Sequence, residues 1–197
     1  TGSAKLDTFK RSGDSLFGRY FMTHLFPLNL GDFSKKDFQL FPSAHVLLEN
    51  ACDSTSLGPL EPLIELGGFP EPFFSSSERF WKRWTAQHED LIVREDLRDL
   101  TKVVELDKIA ALLDLLRPSV GSTVSYNSLA GILETSHTSV KRWLNELARV
   151  ELVFSIPPYA RKISRAMKKE KKLYFLDWKA GGKNIFESYV ASSLYRA

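Results

Sequence analysis

Between Thr138 and Lys171 the chain gathers side chains of the kinds that grip a polyanion. Thr138, Ser139, Lys141, Arg142, Asn145 and Arg149 recur at spacings of three and four, so a helix over this stretch carries them on one outward strip. Val140, Trp143, Leu144 and Leu147 take the opposite strip and read as its buried side. On such a surface Lys and Arg neutralise phosphates, while Ser139, Lys141, Arg142 or Asn145 are suited to base edges. A second cationic group, Arg161, Lys162, Arg165, Lys168, Lys169 and Lys171, lies between two apolar runs. The competing reading is an ordinary solvated helix face beside a flexible basic loop.

Charge along the chain agrees with a local site. The formal net charge is only +3, yet residues 1–140 hold 14 Lys and Arg against 19 Asp and Glu. Residues 141–183 hold 12 against 4. Such polarity points to an anionic partner at one place rather than general adhesion.

Several elements must position that strip. Tyr20 to Phe26 predicts a strand stopped by Pro27, and Leu66 to Pro72 reads as a loop within a stretch rich in Ser, Gly and Pro. From Ser77 to Leu116 the pattern is helical, with Ser77 as a cap before Glu78 and Arg117-Pro118 as a stop. Ser125 precedes a short helix, Tyr126 to Glu134, expected to bury Leu129, Ile132 and Leu133, and Thr135 to Thr138 is the expected turn. Strands are expected over Leu152 to Tyr159 and Lys172 to Trp178. Helix, short helix, polar turn, basic helix and basic hairpin together spell a winged helix-turn-helix over residues 107–178, whose third helix is the kind that reads DNA. Ile185 to Tyr195 reads as a further amphipathic helix.

Catalytic signatures are missing. No GxxxxGK[ST] phosphate loop occurs, since Gly181-Gly182-Lys183 runs into Asn184, and no strand ends in paired acids suited to magnesium. His24, His45, His88 and His137 are scattered and Cys52 stands alone, which argues against a zinc site. No apolar run approaches the roughly 20 residues that span a bilayer. No membrane partner is therefore expected, and the lone cysteine suits a reducing cytoplasm. Arg94 and Arg98, beside Glu95, Asp96 and Asp99, are spaced to reach a phosphate or to pair among themselves. With no initiator Met and a final amphipathic segment, the chain reads as a fragment of a longer polypeptide.

Three groups of residues, in order, resemble a known family. The first is Thr1-Gly2-Ser3 with Gly18-Arg19-Tyr20 and Pro27-Leu28. The second is Gly67-Gly68-Phe69-Pro70-Glu71 with Trp84 and Val93-Arg94-Glu95-Asp96-Leu97. The third is the helix-turn-helix running into Leu173-Tyr174-Phe175-Leu176-Asp177 and Phe186-Glu187. Together they are similar to predicted AAA-superfamily ATPases of bacteria and archaea with an uncharacterised C-terminal region. The resemblance implies that residues 1–50 end the ATPase core, 51–106 form a helical linker or lid, 107–178 the winged helix, and 179–197 the opening of a restriction-nuclease-like segment. The implied fold class is mixed α+β, mainly α, with a remnant of an α/β core.

By the same resemblance Thr1 or Ser3 would sense a γ-phosphate, and Arg19 would contact phosphate or a neighbouring subunit, with a structural ion pair the alternative for Arg19. ATP and magnesium would belong to the parent protein and no cofactor to the fragment. Asp177-Trp178-Lys179 departs from the family's Asp-Xaa-Gly, so no cleavage is assigned. The expected function is that of an ATPase C-terminal part whose winged helix binds nucleic acid or a partner protein, with oligomerisation left open. The alternatives are a non-catalytic winged-helix transcriptional regulator and a protein-interaction module.

Overall fold

A computed structural model describes residues 24–33, 57–97, 105–159 and 170–196. Among these the protein is mixed α and β and mainly helical, with seven α-helices and one two-stranded sheet. Among the described residues no helix is long and apolar enough to cross a membrane.

Two short helices flank residues 67–69, which are irregular as expected, and the second takes up the last part of the Leu66 to Pro72 stretch read as loop. Leu60–Leu66 (α1) forms because Leu60, Leu63 and Ile64 share one face, and its Leu63 is fully buried. Pro70–Ser75 (α2) starts on Pro70, whose ring presets φ for a first helical residue and whose missing N–H costs nothing there. The punctuation of Gly67-Gly68-Phe69-Pro70 therefore marks a helix start as well as a turn. Glu78–Leu91 (α3) begins as expected, with the Ser77 side chain accepting from the Phe80 amide. It runs on through a π-helical segment, Ile92–Asp96.

Leu106–Leu116 (α4) buries Ile109, Leu112, Leu113 and Leu116 and ends in a short 3-10 turn at Arg117–Ser119. Tyr126–Ile132 (α5) is capped by Ser125. It buries Leu129, Ala130 and Leu133 but leaves Ile132 63% exposed. At about 100° per residue the buried three define an arc, and Ile132 falls roughly 100° from its centre. The turn closes earlier than expected: Glu134 takes a positive φ, the Thr135 amide returns to the Ala130 carbonyl, and His137–Arg149 (α6) already starts at His137.

At the end of α6, Glu151 is left-handed and the Leu152 amide reaches back to the Leu147 carbonyl. This closing bond turns the chain onto its own helix and launches Val153–Ile156 (β1). The hairpin partner is Lys172–Phe175 (β2), antiparallel, with Val153 opposite Phe175 and Ile156 opposite Lys172. Both strands are shorter than expected. Pro157 and Pro158 lack the amide a ladder needs, and beyond Phe175 the chain bends into the turn that carries Asp177 and Trp178. Ile185–Arg196 (α7) completes the fold.

The strand expected over Tyr20 to Phe26 is not seen in its described part, because His24 to Phe26 pair with no neighbouring strand. Instead Phe26 packs edge-on against Tyr195, and the Leu28 amide donates to Gly68 O at 2.7 Å. Buried side chains fall into two clusters. The larger joins the π segment, α4, α5, α6 and the hairpin; the smaller is Leu63, Trp178 and Tyr189, flanked by Leu28, Leu30, Phe33 and Phe73.

Candidate functional site

The amphipathicity of α6 holds as read. Val140, Trp143, Leu144 and Leu147 are buried, while Thr138, Lys141, Arg142, Asn145 and Arg149 are exposed and Ser139 is half-buried. Ser136 caps the helix: its hydroxyl accepts from the Ser139 amide at 3.0 Å and lies 2.8 Å from the Thr138 hydroxyl. His137 stands exposed in the first turn with its ring against Tyr126. Arg149 is tied to Glu146 at 3.0 Å. Lys141 and Arg142 meet no hydrogen-bond or ion-pair partner among the described residues, so their charges face outward. That leaves two free cations flanked by Ser139 and Asn145.

Arg161, Lys162, Arg165, Lys168 and Lys169 lie outside the described residues, as do Thr1, Ser3 and Arg19. Arg94 is spent on Asp90 at 2.5 Å, one turn away on the same helical run, and Arg98 and Asp99 lie outside the described residues.

Asp177 and Glu187 do not form a joint site. Glu187 accepts from Lys172 Nζ at 3.0 Å and from Tyr174 Oη at 2.8 Å, and these hydrogen bonds hold its carboxyl below the usual range. Burial and the same Glu187 push the Tyr174 hydroxyl up to about 12. Asp177 is instead buried at a seam between segments. Its carboxylate receives the Lys179 amide at 3.2 Å, Trp81 Nε1 at 3.4 Å and Thr85 Oγ1 at 3.5 Å. None of these contacts is short, so burial outweighs them and lifts the carboxyl to about 6, with the charge of Glu89 adding to the rise. Among the described residues no group of three or more His, Cys, Asp or Glu is placed to hold a metal ion.

The same seam explains the Gly-Gly-Phe-Pro-Glu run. Gly67 has φ +78°, and a Cβ there would stand 2.9 Å from Asp177 Oδ1. A Cβ on Gly68 would stand 2.2 Å from Trp178 Cη2 and 2.5 Å from Leu28 O. Only glycine lets the backbone pass this close to both side chains. Phe69 packs on Trp84 and His88, and Glu71 accepts from Trp84 Nε1 at 2.5 Å. Trp178 donates to Leu63 O at 2.8 Å, and Lys179 Nζ donates to Glu65 O above the Trp81 ring. Burial depresses the Lys179 amine.

Beside it, Arg117 binds Glu89 at 2.5 Å and Ala180 O at 2.6 Å and lies over the Phe175 ring. Sequence reasoning read Arg117 only as part of a helix stop and gave Glu89 no role. The available signal was Trp81, Thr85 and Glu89 at i, i+4 and i+8, a polar-aromatic strip along α3.

A family model described as a domain of unknown function (DUF8612) matches residues 59–178. The chain belongs to this family. The family's span begins at the residue before α1 and ends on Trp178, whose indole bonds back to Leu63 of α1. It thus contains both sides of the seam and the whole of α6. The uncharacterized protein MJ1544 of Methanocaldococcus jannaschii is similar, 26% identical over 183 residues, which cover 90% of this chain. The chain spans 40% of the length of that relative. No solved structure matches the chain.

Proposed function

We propose that α4, α5, α6 and the hairpin act as a winged helix that binds nucleic acid through the outward strip of α6. The observation that carries this reading is the pair of exposed, unpaired cations Lys141 and Arg142 beside Ser139 and Asn145. Cations of this kind bind phosphates and fix register on a duplex, and Asn145 or Ser139 then meets base edges. The excess of Lys and Arg over residues 141–183 adds long-range attraction of the same sign.

Binding of duplex DNA by the whole chain, followed by fluorescence anisotropy across a salt series, tests it. Each phosphate contact contributes about 0.9 to the slope of log K against log salt, so Lys141→Ala with Arg142→Ala lowers that slope by about 2 and weakens binding. Unchanged affinity and slope in the double variant would remove nucleic acid as the partner. One observation favours the other class: Ile132, exposed at the end of α5, is an apolar contact suited to a protein partner.

The parent-level reading is an AAA-type ATPase of which this chain is the C-terminal part. It is supported by the order of the motifs from Thr1-Gly2-Ser3 to Phe186-Glu187. ATP and magnesium would be held by a phosphate loop outside this chain, with Thr1, Ser3 and Arg19 near the γ-phosphate. The test is the open reading frame upstream of Thr1, together with ATP hydrolysis by its product. A frame that lacks GxxxxGK[ST] leaves the non-catalytic regulator as the better reading.

A further inference from the structure

We infer that α1, α2 and α3 form a flap that opens as one unit from the rest of the fold, hinged where α3 passes into the π segment and pinned shut by Trp178. Burial is unequal on the two sides. Among described positions α1 buries only Leu63, α2 only Pro72, and the 14 residues of α3 only Thr85. By contrast α4 and α6 each bury four large apolar residues in the main cluster. Elements with few buried apolar side chains occupy the low end of local stability and open first.

The place of the hinge follows from the change in burial along one continuous helical run. Leu91, the last residue of α3, is 52% exposed, whereas Ile92 and Val93 of the π segment are buried in the main cluster. A π segment interrupts the regular ladder of backbone bonds, and such interruptions are where helices bend. The run is thus anchored on its far side and free to swing on its near side.

What holds the flap closed is a set of separate pins across the seam. Trp178 donates to Leu63 O, Asp177 accepts from Trp81 and Thr85, Lys179 donates to Glu65 O, Arg117 pairs with Glu89, and the Leu28 amide meets Gly68 O. Trp178 is the bulkiest buried side chain among the pins. It fills the small cluster with Leu63 and Tyr189, 1% exposed, with Gly68 against its ring edge. Tyr189 belongs to α7, so opening separates Leu63 from both partners and bares the Trp178 ring. The strip on α6 lies in the other unit, and this inference stands whether or not that strip binds nucleic acid.

Hydrogen exchange of the whole chain in a series of low urea concentrations tests the flap. The expected result is that amides of α1–α3 exchange through an opening with a larger equilibrium constant and a weaker urea dependence than amides of α4 and α6. Trp178→Phe keeps an aromatic side chain but removes the N–H bond to Leu63 O and part of the buried ring. The closed chain loses this contact against both the open flap and the unfolded chain. Exchange in α1–α3 should therefore speed up by at least about fivefold, α4 and α6 should speed up by a similar factor through global unfolding, and the gap between their opening constants should remain. One common opening constant and urea dependence for α1–α3, α4 and α6 in the wild-type chain overturns the inference. So does unchanged exchange of α1–α3 in Trp178→Phe.

Discussion

Replacing Asp177 by asparagine should change how stability depends on pH. The carboxyl is buried against the Lys179 amide, Trp81 and Thr85, and burial lifts it from 3.8 to about 6. The unfolded chain releases this proton near the lower value and the folded chain near the higher one. Between them the folded state binds more protons, so stability falls as pH rises, and above about pH 6 the penalty is constant. A shift of about two units at roughly 1.4 kcal/mol each makes that penalty about 3 kcal/mol, absent below about pH 4. Glu89, also raised by burial against its pairing with Arg117, acts in the same direction.

Two other carboxyls act in the opposite sense. Burial works against the charge on Asp32, but hydrogen bonds from Arg196 and the Asn29 amide hold its carboxyl low, and Glu187 is held low by Tyr174 and Lys172. The stability these two add is present above their unfolded values and is lost as pH falls through their folded ones. Asp32 and Glu187 remain in Asp177→Asn and cancel in the difference between variant and wild type, which reads Asp177 together with its coupling to Glu89. Urea unfolding at a series of pH values should show the variant gaining about 3 kcal/mol on the wild type between about pH 4 and pH 6.5, then no more. For a chain of this size that is about 6–12 °C in melting temperature. The new amide group faces donors and adds a constant offset, so the slope is the readout. A difference that stays flat across the whole range refutes the reasoning.

Gly68→Ala should cost about 3 kcal/mol in urea unfolding, because its Cβ would meet the Trp178 ring at 2.2 Å and the Leu28 carbonyl at 2.5 Å. A loss under about 1 kcal/mol would mean that the loop is not seated on Trp178. Arg117→Met strands the partly buried Glu89 carboxylate beside Asp177, and a loss of about 2–3 kcal/mol is expected in thermal melting. Adding Glu89→Gln should recover part of it, whereas simple additivity of the two losses would refute the coupling.

Much of the local structure was legible from residue spacing. Ser77 and Ser136 are small polar residues before amphipathic runs, although reading the turn as Thr135 to Thr138 put the start of α6 too late. The core face of α6 followed from Val140, Trp143, Leu144 and Leu147 because helical periodicity sorts side chains before any neighbour is known. The free cations Lys141 and Arg142 could be placed for the same reason. Ile132 could not: an apolar residue near the end of a short helix faces inward or outward according to what packs against it. Helix α1 was not legible for a similar reason, since it is short and buries one residue, and it is stabilised by Trp178 more than 100 residues away.

The sequence by itself determined the polar and apolar faces of the helices, the basic strip on α6 and the absence of a phosphate loop from this chain. These depend on residue type and on the periods of helix and strand, which are local. Tertiary structure decided the role of Asp177, which the family resemblance set with Glu187 in a nuclease-like opening and the fold places under Gly67, Trp81 and Thr85. It also decided that the Gly-Gly-Phe-Pro-Glu run is a close-packed seam. The physical reason is shared: burial and close approach depend on which distant segments meet, and no local period encodes that meeting.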